Sequence, residues 1–167
     1  FISFTFIIMD KGMSNDKILQ ICSTHLHTKP FFQGVYAVNK LDHVTITKDV
    51  PYFLIVNTSP DTVKTSGHWT VIWHDETYEI QFFCSMGYPP TGAILNFIKE
   101  LSSEYTYNKH RYQAYNSASC GPLSLFYCDV RAQGFSNEDA LETLSTTNLK
   151  LNDCLAKTYV YGHMTSP

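Results

Sequence analysis

Asn116-Ser117-Ala118-Ser119-Cys120-Gly121-Pro122 sets a thiol in front of an apolar run at helical spacing. At the first turn of such a helix, the unpaired backbone N–H groups and the positive dipole end favour a thiolate, the reactive form of cysteine. Small neighbours on both sides leave room for a polypeptide backbone to approach the sulfur. A nearby imidazole activates a thiol at neutral pH. Of the seven histidines the best placed is His68, between the flexible Thr65-Ser66-Gly67 and a Trp-led β-branched run. Such a pair can attack a carbonyl carbon. Each residue also has an ordinary reading: a buried structural cysteine, which suits Cys22, Cys128 and Cys154 better, and a satisfied surface histidine. His25 and His27 lie close together, but no neighbouring Cys or carboxylate pattern completes a metal site, so no metal is expected.

The elements that must position these groups follow from periodicity. Ser14 caps a short helix to about Ile21, with Ile18, Leu19 and Cys22 on one side. Tyr52-Phe53-Leu54-Ile55-Val56, ended by Asn57-Thr58-Ser59-Pro60, reads as a buried strand. Trp69 to Trp73 is a second strand, His74-Asp75-Glu76-Thr77 a polar tip, and Tyr78 to Phe83 a third strand returning antiparallel. Pro89-Pro90-Thr91 opens a helix carrying Ile94, Phe97, Ile98 and Leu101 on one face. A short strand is expected at Tyr112 to Tyr115. A helix beginning near Pro122 carries Leu123, Phe126, Tyr127 and Val130 and stops at Gly134. Ser136 with Asp139 caps a last helix through Leu144, and the stretch beyond Leu151 is weakly patterned. The sum is an α+β domain, a central, mostly antiparallel sheet flanked by helices.

Composition sets the outer limits. A chain of 167 residues with 44% apolar and 14% aromatic content can bury one core, and a disordered tail is excluded. Five cysteines without close pairs describe neither a disulfide framework nor a CxxC zinc site, so reduced thiols and an unsecreted protein are expected. The formal charge of -3 argues against a nucleic-acid-tracking surface. The apolar start at Phe1 to Ile8 is too short to span a bilayer and lacks signal-peptide flanks. Residues 1–12 are read as a peripheral leader, with Met9 or Met13 as alternative starts, and 13–167 as a single domain.

Five segments in order resemble the adenovirus-type cysteine endopeptidases, including those of Polinton/Maverick elements and adenovirus-like genomes. Phe31-Phe32-Gln33-Gly34-Val35-Tyr36 is similar to the family's "(Y/F)FLGTY", and Phe53-Leu54-Ile55-Val56-Asn57-Thr58 to its "IVNT" strand. Gly67-His68-Trp69 resembles its histidine motif, and Phe83-Cys84-Ser85-Met86-Gly87-Tyr88-Pro89-Pro90 its "F(D/E)S(L/M/Y)G-PP". Gln113-Ala114-Tyr115-Asn116-Ser117-Ala118-Ser119-Cys120-Gly121 resembles "Q-x-x-N-S-x-x-C-G". The resemblance implies a permuted papain-like protease in which His68 is the general base, Cys120 the nucleophile and Gln113 an oxyanion-hole donor. Trp69, Asn116 and Gly121 would shape the substrate site.

The family's carboxylate, which orients the histidine, falls here on Cys84. If the two strands pair around Asp75-Glu76, residue 68 faces about residue 83 and Cys84 sits beside His68. Asp75 is then seven residues along the strand, roughly 23 Å away at ~3.3 Å per residue, and Glu79 ~13 Å away. A distant acid such as Asp129 or Asp139 would need tertiary folding to approach. Three readings follow, in this order of preference: a working Cys120–His68 dyad; an impaired homologue kept for binding; or a Cys84–Cys120 pair able to form a disulfide or hold a soft metal.

The function expected from the resemblance is cleavage of viral or transposon-encoded precursor proteins during capsid maturation, with small residues such as Gly at the scissile bond. A ubiquitin-like-protein deconjugase of the same fold and a silent binding module are the alternatives. No cofactor is required. Adenovirus members are stimulated by DNA and by a disulfide-linked peptide. The linking cysteine's position is Ser102 here, and the net charge is negative, so neither activator is expected beyond weak nucleic-acid association. A monomer in the virion and the host nucleus or cytoplasm, with no membrane partner, completes the expectation.

Overall fold

The computed structural model describes residues 12–63, 67–77 and 79–165. The expected leader falls almost wholly outside these, as do Thr65, Ser66 and Tyr78. Helix α1 (Asn15–Thr24) begins where Ser14 accepts a hydrogen bond from Lys17 N–H, and buries Ile18, Ile21 and Cys22. Leu19, expected on the same side, is exposed. Strand β1 (Phe32–Ala37) leads into a 3-10 segment (Val38–His43) and then strand β2 (Tyr52–Asn57). Strands β3 (Trp69–His74) and β4 (Ile80–Cys84) form the expected hairpin, followed by helix α2 (Gly92–Leu101) and strand β5 (Tyr105–Tyr107).

The strands form one sheet in the order β1-β2-β3-β4-β5. The central three are antiparallel, and each edge strand joins its neighbour in parallel. Period-two alternation divides the core. Phe53, Ile55, Val71, Trp73 and Phe83 face one layer, and Leu54, Val56, Ile72, Phe82 and Cys84 face α2 on the other.

The first layer is helix α3 (Cys120–Ala132), buried from Cys120 to Arg131. It begins at Cys120 itself, so Pro122 sits within its first turn, where a missing N–H costs nothing. Gly134 beyond its end has φ 94°, and its N–H reaches Arg131 C=O at 2.9 Å. Helix α4 (Asn137–Glu142) follows, with Ser136 capping Asp139 N–H as expected. It is not the last helix: the weakly patterned end forms helix α5 (Leu149–Tyr159), which packs on α3 and continues as a π turn (Val160–Met164).

Two expectations are corrected. The β3–β4 register sets Phe83 opposite Val71 and Cys84 opposite Thr70, three residues from the expected pairing of 83 with 68. The turn is wider because Asp75 organises it. Its Oδ1 accepts from Thr77 N–H, the Thr77 hydroxyl and Glu79 N–H, and its Oδ2 from Gln81 Nε2 at 2.8 Å. Residues 112 to 115 form no strand; Tyr112 and Gln113 N–H both donate to Ser85 C=O, at 2.8 and 3.0 Å. The short strand in this region is β5.

Gly121 shows how closely helix α3 is seated. A Cβ there would lie 2.8 Å from Met13 Cβ and 3.4 Å from Trp69 Cδ1, and Met13 C=O accepts the Trp69 indole N–H at 2.9 Å. Gly121→Ala should therefore destabilise the fold by about 1–3 kcal/mol through overpacking. The shift in urea midpoint at unchanged m-value measures it, and an unchanged midpoint would refute the close packing.

Candidate active site

Two stretches distant in the chain, at residues 68–69 and 113–120, meet at one cleft of about 900 Å³. They contribute His68 and Trp69, Gln113, and Cys120 with Ser117 and Ala118. His68 stands just before β3, its backbone fastened to the end of β2: His68 N–H donates to Thr58 Oγ1 at 3.1 Å, and its C=O accepts Thr58 N–H at 3.0 Å. Cys120 opens α3 on the opposite side of the sheet edge. Of the remaining expected residues, Trp69 lines the cleft. Gly121 is buried beneath Met13 and Trp69, and Asn116, in the left-handed conformation at φ 61°, is exposed outside it.

Cys84 reaches His68, its Sγ 3.3 Å from Nε2. The contact is diagonal across the hairpin: residues 68, 70 and 84 share one face, and a ring two positions from the paired residue is long enough to bridge the gap. With Nε2 at Cys84, Nδ1 is the ring nitrogen left to exchange a proton in the cleft. Behind the ring lies a second hollow of about 300 Å³, lined by Thr58, Cys84, Met86, Tyr88 and Pro89.

Two residues not singled out in the sequence hold this corner together. Asn108 pairs with the backbone of Cys84 as an extra strand residue would: Cys84 N–H donates to its Oδ1 at 2.8 Å, and its Nδ2 donates to Cys84 C=O at 2.7 Å and His110 C=O at 3.0 Å. Ser85 Oγ donates to Gln113 Oε1 at 2.7 Å, which fixes the amide orientation. Gln113 Nε2 then donates one hydrogen to Ser117 C=O at 2.7 Å and keeps a second for an acceptor in the cleft. Asn108 and Ser85 carry no spacing signal; their roles arise only when β4, β5 and the loop before Cys120 converge.

The acids stand elsewhere. Asp75 is consumed by its turn, Asp139 lies in the first turn of α4, and Asp129 faces His25 and His27. Among the described residues no carboxylate is hydrogen-bonded to or ion-paired with His68. Burial, with the Arg111 guanidinium adding to it, lowers the His68 pKa from 6.5 to about 4. Burial raises the Cys120 thiol above its usual value, against the backbone N–H groups of Trp69, Gly121 and Cys120, which pull it down. Cys84 is raised by burial too, although the backbone N–H groups of Tyr88, Met86 and Gly87 favour negative charge there. At neutral pH all three groups are uncharged. A thiol and an imidazole on the walls of one cleft are the groups a proton transfer from sulfur requires, and N–H donors beside them suit an oxyanion.

No family model matches the sequence, and no curated protein matches it. Among solved structures, the chain is similar to ASFV pS273R protease at 17% identity and TM-score 0.54, over 86% of this chain and 70% of that one. A selenomethionine form of the same protease aligns at 24% identity and TM-score 0.45 over 61% of this chain, which spans 42% of its length. The central domain of Lpg1148 from Legionella pneumophila aligns at 17% identity and TM-score 0.49, over 92% and 96% of the two chains. These identities speak to architecture: a mixed α+β domain whose five-stranded sheet and flanking helices have the papain-like fold of that viral protease. No helix among the described residues is long and apolar enough to cross a membrane.

The histidine carries a pH signature. With its pKa at 6.5 unfolded and about 4 folded, the unfolded chain binds more protons between those values. Stability is therefore complete above about pH 6.5 and falls as pH drops toward 4, by up to about 3 kcal/mol at 1.36 kcal/mol per unit. Urea midpoints taken from pH 7 to 4 should fall less steeply in His68→Gln. Equal slopes would show that His68 is not held neutral by burial.

Proposed function

We propose that this chain is a cysteine endopeptidase working through a Cys120–His68 dyad. The observation that carries the reading is the meeting of His68 with Gln113 and Cys120, from two stretches some 45 residues apart in the chain, on the walls of one cleft. The fold shared with a viral protease supports it. In the reaction, Cys120 Sγ attacks the scissile carbonyl carbon while His68 Nδ1 accepts the thiol proton. The oxyanion is held by the remaining Gln113 Nε2–H and by Cys120 N–H at the head of α3. Collapse of the tetrahedral species breaks the C–N bond, with His68 returning its proton to the leaving amine. Water, deprotonated by His68, then attacks the thioester, and the acid product leaves as the proton returns to Cys120.

The substrates proposed are viral or transposon-encoded precursor polypeptides cut beside small residues such as Gly during capsid maturation, in the virion or infected cell. No cofactor is needed. Ser102 offers no thiol for a peptide activator, and the charge of -3 gives little pull on DNA. Cys84 favours one second reading, an impaired homologue that binds such segments without cutting them, because a neutral thiol cannot stabilise an imidazolium as a carboxylate does.

Cleavage of Gly-containing peptides separates the two readings. Cys120→Ala should abolish turnover, and an unchanged rate would end the assignment. The N–H groups around Cys84 suit a carboxylate, so Cys84→Asp should raise kcat/KM about tenfold or more and raise the pKa of the acid limb. A natural chain inactive toward all such peptides, rescued by Cys84→Asp, would establish the impaired homologue. Arg111→Gln should likewise raise the acid limb, because it removes a positive charge that disfavours the protonated ring. No change in that limb would place its proton on a group other than His68.

A further inference from the structure

His25, just past the end of α1, and His27, in the loop before β1, converge on Asp129 of α3, a hundred residues away in the chain. The carboxylate missing from the sequence pattern is thus supplied by the fold, which corrects the expectation that nothing completes a site there. His25 Nε2 lies 2.9 Å and His27 Nδ1 3.1 Å from the same oxygen, Asp129 Oδ1. The three donor atoms fall within 4.8 Å of one another.

Hydrogen bonding accounts for one of the two histidines: His27 Nδ1 is hydrogen-bonded to Asp129 Oδ1 at 3.1 Å. His25 Nε2 is buried and makes no hydrogen bond, although an oxygen lies 2.9 Å away, so its in-plane axis points off that oxygen. A ligand atom on the edge of a coordination polyhedron points this way, at the ion and not at the neighbouring ligand atom, and His25 Nε2 has that orientation. Bonds of about 2.0–2.2 Å set neighbouring ligand atoms roughly 2.8–3.1 Å apart at octahedral angles and roughly 3.3–3.6 Å apart at tetrahedral ones. The observed 2.9 and 3.1 Å match the octahedral separation.

The outer contacts are those a ligating carboxylate needs. Asp129 is fully buried, and its other oxygen, Oδ2, accepts from Tyr159 OH at 2.5 Å and Gln133 Nε2 at 2.9 Å, which leaves Oδ1 to the histidines. The His25 and His27 rings stand nearly perpendicular, at 87°. The His27 side chain is 39% exposed, giving an ion a way in and water an open position.

We propose that His25, His27 and Asp129 form a binding site for a divalent transition-metal ion of the zinc class, clasping the α1–β1 connection to the nucleophile helix. The site is independent of the protease reading, since it lies nine residues along α3 from Cys120 and shares no residue with the cleft.

Zinc itself is the probe. A Cys84→Ser/Cys120→Ser chain removes the competing thiols beside His68. After chelation and dialysis it should retain one equivalent of added zinc, and its Tm should rise by about 5–10 °C at a hundredfold excess over Kd. His27→Gln, a change at a half-exposed position, should keep the metal-free Tm and lose both the zinc and the shift. Cobalt in place of zinc should show ligand-field bands without thiolate-to-metal charge transfer. Zinc retained by His27→Gln, no zinc bound by the parent, or a thiolate charge-transfer band would each overturn the proposal.

Discussion

Helix α3 is buried from its first residue to its last turn, and the rest of the molecule answers to that constraint. An apolar helix in this position would ask little of its surroundings, but α3 carries Asp129 and Arg131 into the interior. A buried charge without partners is costly, so each draws structure toward it. Arg131 Nη1 donates to Gln81 on β4 and to the Tyr127 hydroxyl, with its guanidinium 4.8 Å over Trp73. Asp129 gathers the α1–β1 connection on one oxygen and α5 on the other. The polar demands of one helix thus fix its rotation and its slide against the sheet. That setting determines where its first residue, Cys120, emerges.

The same burial governs the chemistry at that emerging end. A helix N-terminus would lower a thiol's pKa if it faced water. Here desolvation outweighs the N–H groups, and the sulfur, the imidazole and Cys84 all rest neutral. A carboxylate at position 84 would shift that balance by stabilising imidazolium. A thiol cannot, and Arg111 pushes the other way. Geometry and protonation are therefore separable in this cleft: Cys84 still occupies the place from which the ring is oriented, while the charge that would accompany that role is missing.

What could be read from the chain was whatever depends on neighbours in sequence. The thiol ahead of a helix, the Ser14 and Ser136 caps and the β3–β4 hairpin follow from local spacing, whereas the contact of Cys84 with His68 is implied by the family resemblance and forms in a register other than the one expected. The register missed by three residues because Asp75 spends four hydrogen bonds on a wider turn, and a tip composition does not disclose such a network. Strand β5 was placed too late because Tyr112 and Gln113 give their N–H groups to one carbonyl, that of Ser85, and not to a ladder. Helix α5 escaped notice because its apolar face is defined by α3, not by a run of its own. Asn108 and Ser85 act through partners 24 and 28 residues away, and the His25–His27–Asp129 cluster closes over a hundred residues.

The two ends of α3 make different demands on the sheet. Its C-terminal half is anchored by ionic and hydrogen-bonded side chains that tolerate little displacement. Its N-terminal turn rests on close contact: Gly121 against Met13 and Trp69, whose indole is tied to the Met13 carbonyl. Trp69 directly follows His68, so the contact that seats α3 also sets the start of β3, which His68 immediately precedes. Cys120 and His68 are thereby registered to each other through a glycine–indole contact and need no bond between them in the resting state. A site organised this way can hold its geometry while both groups stay neutral, which is what the proposed dyad, with no carboxylate at position 84, requires.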